Sequence, residues 1–134
     1  MAVQYSLTHR TNAMTQLNTD IGSAAAIKLF SGAAPATCAT ADTGTMLVLF
    51  AGNAGGFGTA ASQVLTASAV ASVTAAASGT PGYFRIYPTA ATTTNAVLQG
   101  TVGTSGTDMI LTAATVTAAQ TINFTSLTVT AFGV

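Results

Sequence analysis

The chain has 134 residues, which is enough for one domain with a real hydrophobic core. Hydrophobic residues make up 49% of it, but charged residues only 4%, far below the roughly 25% usual in soluble domains. Three basic side chains cannot form a phosphate-neutralising patch, which excludes nucleic acid as an expected partner. A polar surface made of neutral side chains suits a protein held against neighbours in a larger assembly. The charged residues are Arg10, Lys28, Arg85, Asp20, Asp42 and Asp108.

The first part of the chain predicts one amphipathic helix. Its apolar stripe recurs near a 3.6-residue period and comprises Leu7, Met14, Leu17 and Ile21. Thr8 is a candidate N-terminal cap, and Gly22 is a candidate end of the helix. We expect the helix to pack on the chain's own sheet rather than on a partner.

Two compact segments rich in apolar residues follow and predict strands at Ala26–Phe30 and Met46–Phe50. Met46–Phe50 is apolar at every position, which indicates a strand covered on both faces. Four of the eight residues from Ala51 to Gly58 are glycine, so we expect a mobile loop there. A phosphate-binding loop is disfavoured, because no lysine follows these glycines.

The stretch from Val64 to Ala77 is ambiguous, because alanine favours helix whereas valine and threonine favour extended chain. We interpret it as two strands with a hairpin at the turn cluster Ser78–Gly82, running into a strand at Tyr83–Tyr87. Pro88 is expected to end that strand.

Alternation within the Tyr83–Tyr87 strand places Tyr83, Arg85 and Tyr87 on one face. An arginine between two tyrosines can bind a ligand or partner by stacking. A solvated or interface face is the more ordinary interpretation of such a trio, and we adopt it.

Further strands are predicted at Asn95–Val102, at Met109–Leu111 and over residues 121–132. In the last one, apolar residues change parity between Phe124 and Leu127, which predicts a β-bulge near residues 125–126. Short strands with short polar connections indicate an all-β fold, a sandwich, jelly-roll-like or barrel domain with a short N-terminal helix. We expect a single domain over residues 1–134, with the arm and helix in 1–22 and the β sandwich in 23–134.

Residues that support catalysis are scarce. His9 is the only histidine and Cys38 the only cysteine, so no intrachain disulfide can form and no local metal-ligand spacing exists. The three aspartates fall in separate segments, and no Gly-x-Ser-x-Gly motif is present. We therefore expect a protein that is not an enzyme and has no cofactor or metal. The segment from Ala60 to Ala77 is too poor in large apolar residues to predict a membrane span, and no secretory signal is evident.

Several segments resemble small structural proteins encoded by tailed bacteriophages and prophages. The resemblance covers most of the chain after Ile27 and is carried by Ile27–Pro35, Ala41–Leu47, Gly82–Tyr87, Gln99–Met109 and Ile122–Thr130. It implies a virion protein without catalytic residues. Small size, low charge and β architecture favour a capsid cement or decoration protein among these. The resemblance then implies a jelly-roll-like fold, synthesis in the host cytoplasm and a place on the capsid surface.

Such a protein is expected to bind the major capsid protein and to form a homo-oligomer, a dimer or trimer. The candidate assembly residues lie in the N-terminal arm, the glycine-rich loop and the aromatic strand, and are Tyr5, Leu7, Phe57, Tyr83, Arg85 and Tyr87. One alternative is a tail, fibre or receptor-binding module that uses the Tyr83–Tyr87 face. A small hydrolase dependent on His9 is another.

Overall fold

The computed structural model describes residues 3–51, 60–67 and 72–131, without the side chains of residues 124–126. The glycine-rich segment of residues 52–58, with Phe57, lies outside the described residues. The described elements are α1 (Leu7–Ile21), β1 (Ala26–Ser31), β2 (Met46–Phe50), β3 (Val64–Thr66), β4 (Val73–Thr74), β5 (Pro81–Tyr87), β6 (Leu98–Gly103), β7 (Met109–Leu111), β8 (Thr121–Ile122) and β9 (Phe124–Thr130).

The fold is mostly β, as the sequence predicted. Seven strands form one curled sheet, a half-barrel, in the order β2-β1-β5-β6-β7-β9-β3. Strands β4 and β8 pair separately as a two-stranded ribbon. Buried residues of the helix, the large sheet and the ribbon share one hydrophobic cluster, which includes Met14, Ile86, Leu127, Ala75 and Ile122.

Helix α1 packs on the chain's own core through Met14 and Ile21, as expected. Gly22 ends it in a left-handed conformation with φ of 74°, also as expected. Thr8 is not the N-terminal cap, however. The cap is Ser6, whose backbone is extended and whose hydroxyl accepts a hydrogen bond from the His9 N–H at 3.2 Å. Ser6 takes this role because its hydroxyl reaches a free amide of the first turn.

Strand β2 is covered on both faces, and a bulge explains its two consecutive buried side chains. The register against β1 shifts between Leu29 and Phe30, which leaves Leu47 as the extra residue on β2. Both Leu47 and Val48 are fully buried. The Leu47 carbonyl also accepts a hydrogen bond from the Ala76 N–H at 2.8 Å, which ties the segment after β4 to this edge of the sheet.

The predicted hairpin around residues 78–82 is wrong. Strand β3 pairs with β9, β4 pairs with β8, and β5 lies between β1 and β6. Turn residues mark where a strand ends but do not choose its partner. Here long-range pairing determined the topology.

The bulge predicted in the last strand is confirmed in the backbone register. Ile110 is opposite Ser126 and Leu111 is opposite Phe124, so β9 carries one extra residue at this point. The neighbouring pair β6–β7 is parallel although only residues 104–108 connect the two strands. Parallel neighbours normally need a crossover of about a dozen residues or more. Here the connection is much shorter, and the two strands pair at only two positions, Val102 with Met109 and Gly103 with Ile110.

Candidate functional site

The centre of the large sheet holds a fully buried arginine. Arg85 lies on β5, opposite Lys28 of β1 on one side and Gln99 of β6 on the other. Directly opposed residues of antiparallel strands share a face, so these three polar side chains lie together. None of the Arg85 side chain is exposed to solvent. A buried guanidinium must have all its donors occupied to be tolerated.

Each guanidinium nitrogen of Arg85 has an acceptor. Nε and Nη2 donate to the Gln99 side-chain oxygen at 3.1 and 2.9 Å. Nη1 and Nη2 also donate to the loop after β1, where the acceptors are the Thr40 carbonyl at 2.7 Å, the Asp42 carboxylate at 3.1 Å and the Thr37 carbonyl at 2.8 Å. The planar fork of arginine suits such divergent acceptors, whereas the point charge of lysine does not.

Two tyrosines complete this buried polar centre. The Tyr87 hydroxyl donates to the Asp42 carboxylate and accepts from Arg85 Nη1 at 3.2 Å. Burial, followed by the hydrogen bond to Asp42, raises the pKa of Tyr87 to about 12. The Tyr83 hydroxyl donates to the Thr43 carbonyl at 2.5 Å and accepts from the Thr43 N–H at 3.0 Å. Together these contacts fasten the loop of residues 32–45 onto the sheet.

A second loop, residues 88–97, covers the same face at its other end. Lys28 Nζ lies 4.8 Å from the centre of the Tyr87 ring and donates to the Thr92 carbonyl at 2.6 Å. The two loops contact each other where the Ala96 N–H donates to the Cys38 carbonyl at 2.9 Å. The outer face of β1 and β5 is therefore covered by these two loops, residues 32–45 and 88–97, which together form a roof over it.

The interpretation of Tyr83, Arg85 and Tyr87 as a solvated or interface face does not hold in the folded chain. They share one face, as alternation predicted, but all three are 0% exposed. The sequence did not predict the roof. The acceptors that bind Arg85 are backbone carbonyl groups and one aspartate, in a loop whose sequence has no recognisable motif. Side chains with no accessible surface cannot stack on a ligand or meet a partner in this conformation. Their role in the folded chain is to hold the loop of residues 32–45.

The N-terminal arm, in contrast, is exposed. The large hydrophobic side chains exposed within the described part of the chain are Val3, Tyr5 and Leu7, at 79%, 40% and 53%. The Tyr5 ring stacks on the His9 ring with centroids 5.3 Å apart. Tyr5 and Leu7 thus have the accessibility that an assembly contact requires, and their role as assembly residues stays a prediction.

A pocket of about 180 Å³ opens between β6 and β9. Phe84, Leu98, Leu127 and Val129 give it apolar lining, and Gln99, Asp108, Thr128 and Thr130 give it polar lining. Asp108 closes one end, where its carboxylate accepts the backbone N–H of Thr101 at 2.8 Å and the Thr101 hydroxyl at 2.8 Å. These hydrogen bonds, the backbone one foremost, lower the pKa of Asp108. Sequence reasoning missed this pocket, because strands far apart in the chain form it.

The groups that carry chemistry are dispersed. Within residues 3–51, 60–67 and 72–131, no three His, Cys, Asp or Glu side chains come together to hold a metal ion. His9 is exposed on α1, Cys38 is a half-buried free thiol in the roof, and Asp42 is engaged by Arg85. None of the helices in these ranges is long and apolar enough to cross a membrane.

Comparison with known proteins gives no relative from which a role can be transferred. No protein-family model, curated protein or solved structure matches this chain.

Proposed function

We propose that this chain is a structural protein of a tailed-phage virion, a cement or decoration protein that binds the outside of the capsid and stabilises contacts between capsomers. The observation that carries the proposal is the almost complete absence of charge from the surface. A surface that lacks charge repulsion, and the large desolvation cost of charged groups, is suited to wide contact with neighbouring proteins.

The fold also withdraws half of the six charged side chains from the surface, by burying them or pairing them. Lys28 and Arg85 are buried at 4% and 0% exposure, and Asp42 is paired with Arg85. Of the six charged residues, the remaining three are Arg10, Asp20 and Asp108. They are spread over an accessible surface of 6736 Å². Binding by such a surface depends on shape and apolar area, with little electrostatic steering.

The architecture supports a rigid clamp. The large sheet is covered by the helix and ribbon on its core side, and two fastened loops cover the other face at β1 and β5. In the proposed role this body, sandwich-like or jelly-roll-like in form, spans neighbouring capsid subunits and opposes the outward pressure of packaged DNA. Tyr5 and Leu7 contribute to the assembly contacts as a homo-oligomer forms. The competing role in receptor binding through Tyr83 and Tyr87 loses its specific support, because both rings are buried.

Mixing the protein with undecorated phage capsids tests the proposal. Size-exclusion chromatography with light scattering is expected to show the protein moving into the capsid peak in high copy number. Binding should change little when salt is raised from about 0.05 to about 0.5 M, because few charges take part. A protein that stays out of the capsid peak, or that binds at a single vertex in a few copies, would contradict the cement role.

A further inference from the structure

The large sheet contains a gap that one more strand would fill. Strand β7 has only three residues and pairs with Val102–Gly103 of β6 and with β9 from Phe124 to Leu127. Beyond this point β6 and β9 continue on either side of the pocket of about 180 Å³. No strand of the described residues lies between Leu98–Gly100 and Thr128–Thr130.

The backbone of β9 points its hydrogen-bonding groups into this gap. The Ala67 N–H donates to the Leu127 carbonyl, and the Ala131 N–H donates to the Gln63 carbonyl, both at 2.9 Å. Residues 127, 129 and 131 therefore face β3. Peptide groups along a strand alternate between its two edges. Those of Thr128 and Thr130 consequently face the gap.

Strand β6 does the same from the other side. The Thr101 N–H points toward β7, where it meets the Asp108 carboxylate at 2.8 Å. By the same alternation, the backbone N–H and carbonyl of Gln99 face the gap. The gap is thus bordered on both sides by strand edges of the kind that accept an added strand.

The floor of the gap suits apolar side chains. It is formed by Phe84, Leu98, Leu127 and Val129, while the threonines and Gln99 border its outer side. A cavity of about 150 Å³ in a protein core accommodates a benzene molecule. The pocket here, about 180 Å³, is therefore large enough for one aromatic ring.

The N-terminal arm has the sequence that such a strand needs. Val3, Gln4, Tyr5 and Ser6 alternate apolar and polar side chains, and Ser6 has extended backbone with φ of −62° and ψ of 153°. Val3 and Tyr5 are 79% and 40% exposed, so the arm is not seated in the gap of its own chain. An arm that alternates apolar and polar side chains and exposes most of Val3, and a gap that leaves an apolar floor open, are complementary in two copies of one chain.

We propose that residues 3–5 of a second copy of this chain enter the gap as a strand, antiparallel to β9 and parallel to β6. Val3 and Tyr5 lie on the apolar floor, beside Leu98 and Gly100, and Gln4 points outward. Reciprocal insertion of the two arms gives a closed dimer. This extends the proposed homo-oligomer but needs no capsid, so it is tested on the isolated protein and can fail independently of capsid binding.

Two substitutions at adjacent positions test the insertion, because each adds one carboxylate to the arm. Tyr5→Asp places a carboxylate on the apolar floor, whereas Gln4→Asp places it on the outer side. Light scattering across a concentration series is expected to show a dimer for the wild type and for Gln4→Asp, and at least tenfold weaker association for Tyr5→Asp. Circular dichroism checks that both variants keep the helix. A wild-type protein that is monomeric at every concentration would overturn the proposal and would leave the gap to a strand of another protein. Equal association of the two variants would also overturn the proposal.

Crosslinking locates the arm. In a Cys38→Ser background, the Val3→Cys and Leu98→Cys variants are purified separately, mixed and oxidised. A disulfide between the two different chains is expected, and far less of it when Gln4→Cys replaces Val3→Cys. Equal yields from the two mixtures would overturn the placement of Val3 on the floor.

Discussion

The Arg85 guanidinium lies 3.1 Å from the Asp42 carboxylate, although the two residues are 43 positions apart in the chain. Arg85 sits in the middle of a central strand, and Asp42 sits in the loop that roofs it. Burial by itself lowers the pKa of an arginine, but hydrogen bonds with Tyr87 and Asp42 outweigh it and raise the pKa of Arg85. The Arg85 guanidinium therefore keeps its positive charge in the folded chain.

Arg85→Lys is expected to lower the free energy of unfolding by about 2–4 kcal/mol. Lysine keeps the charge, but it cannot reach the Gln99, Thr37 and Thr40 acceptors together, and buried acceptors without donors are costly. Urea unfolding followed by circular dichroism measures the change. Arg10→Lys makes the same replacement on the helix, where the side chain is only half-buried, and is expected to cost less. Equal losses for the two variants would contradict the role given to the buried centre.

Local patterns in the sequence predicted several of the strands and the helix, but not the pairing of the strands or the loop contacts with Arg85. The strands at 26–30, 46–50 and 109–111 follow from short apolar runs, and the bulge in β9 follows from the change of parity between Phe124 and Leu127. The roof over Arg85 could not be predicted, because backbone carbonyls of Thr37 and Thr40 leave no trace in residue type. One signal was available. An arginine flanked by tyrosines on one strand face, in a chain with six charged residues, indicates a buried charge as readily as an exposed one.

The raised pKa of Tyr87 predicts a loss of stability at high pH. In the unfolded chain a tyrosine ionises near pH 10, but in the folded chain the pKa of Tyr87 is about 12. Its contribution is therefore fully present below about pH 10 and is lost as the pH rises toward 12, by about 1.4 kcal/mol per pH unit. Urea unfolding from about pH 9 to about pH 11.5 measures this loss. Tyr87→Phe removes the group, so its unfolding free energy should fall less steeply over the same interval. Parallel curves for the two proteins would show that Tyr87 does not titrate as proposed.

Asp108 is expected to matter as a hydrogen-bond acceptor for Thr101. Asp108→Ala leaves the Thr101 N–H without this partner at the end of the pocket and should lower stability by about 1 kcal/mol. Asp108→Asn keeps an acceptor oxygen and should cost less. Because the pKa of Asp108 is lowered in the folded state, its charge-dependent contribution is present above the unfolded value near 4 and is lost as the pH falls through the folded pKa. Thermal unfolding at about pH 7 and about pH 3 checks both points. If the Asn and Ala variants melt together at neutral pH, the hydrogen bond is not what stabilises this end of the pocket.

Gly82, at the start of β5, is expected to tolerate no side chain. The register between β1 and β5 shifts so that Phe30 opposes Tyr83 and Ser31 opposes Pro81, which leaves Gly82 as the extra residue of a bulge. A Cβ atom at this position would overlap the Gly32 carbonyl oxygen, which is backbone and cannot rotate away. Gly82→Ala must therefore separate the start of β5 from the end of β1.

Gly106→Ala is the matched control for that substitution. Gly106 has a φ of 65° but nothing within 4 Å of an added Cβ, so only the left-handed conformation is penalised, by about 1–2 kcal/mol. The overlap at Gly82 should cost more, about 2–4 kcal/mol, and should also weaken the attachment of the roof, because Tyr83 follows directly and holds Thr43. Urea unfolding of the two variants compares the costs, and tyrosine fluorescence quenching reports the roof. A Gly82→Ala variant as stable as Gly106→Ala would mean that the β1–β5 bulge yields easily, and that the roof does not depend on its geometry.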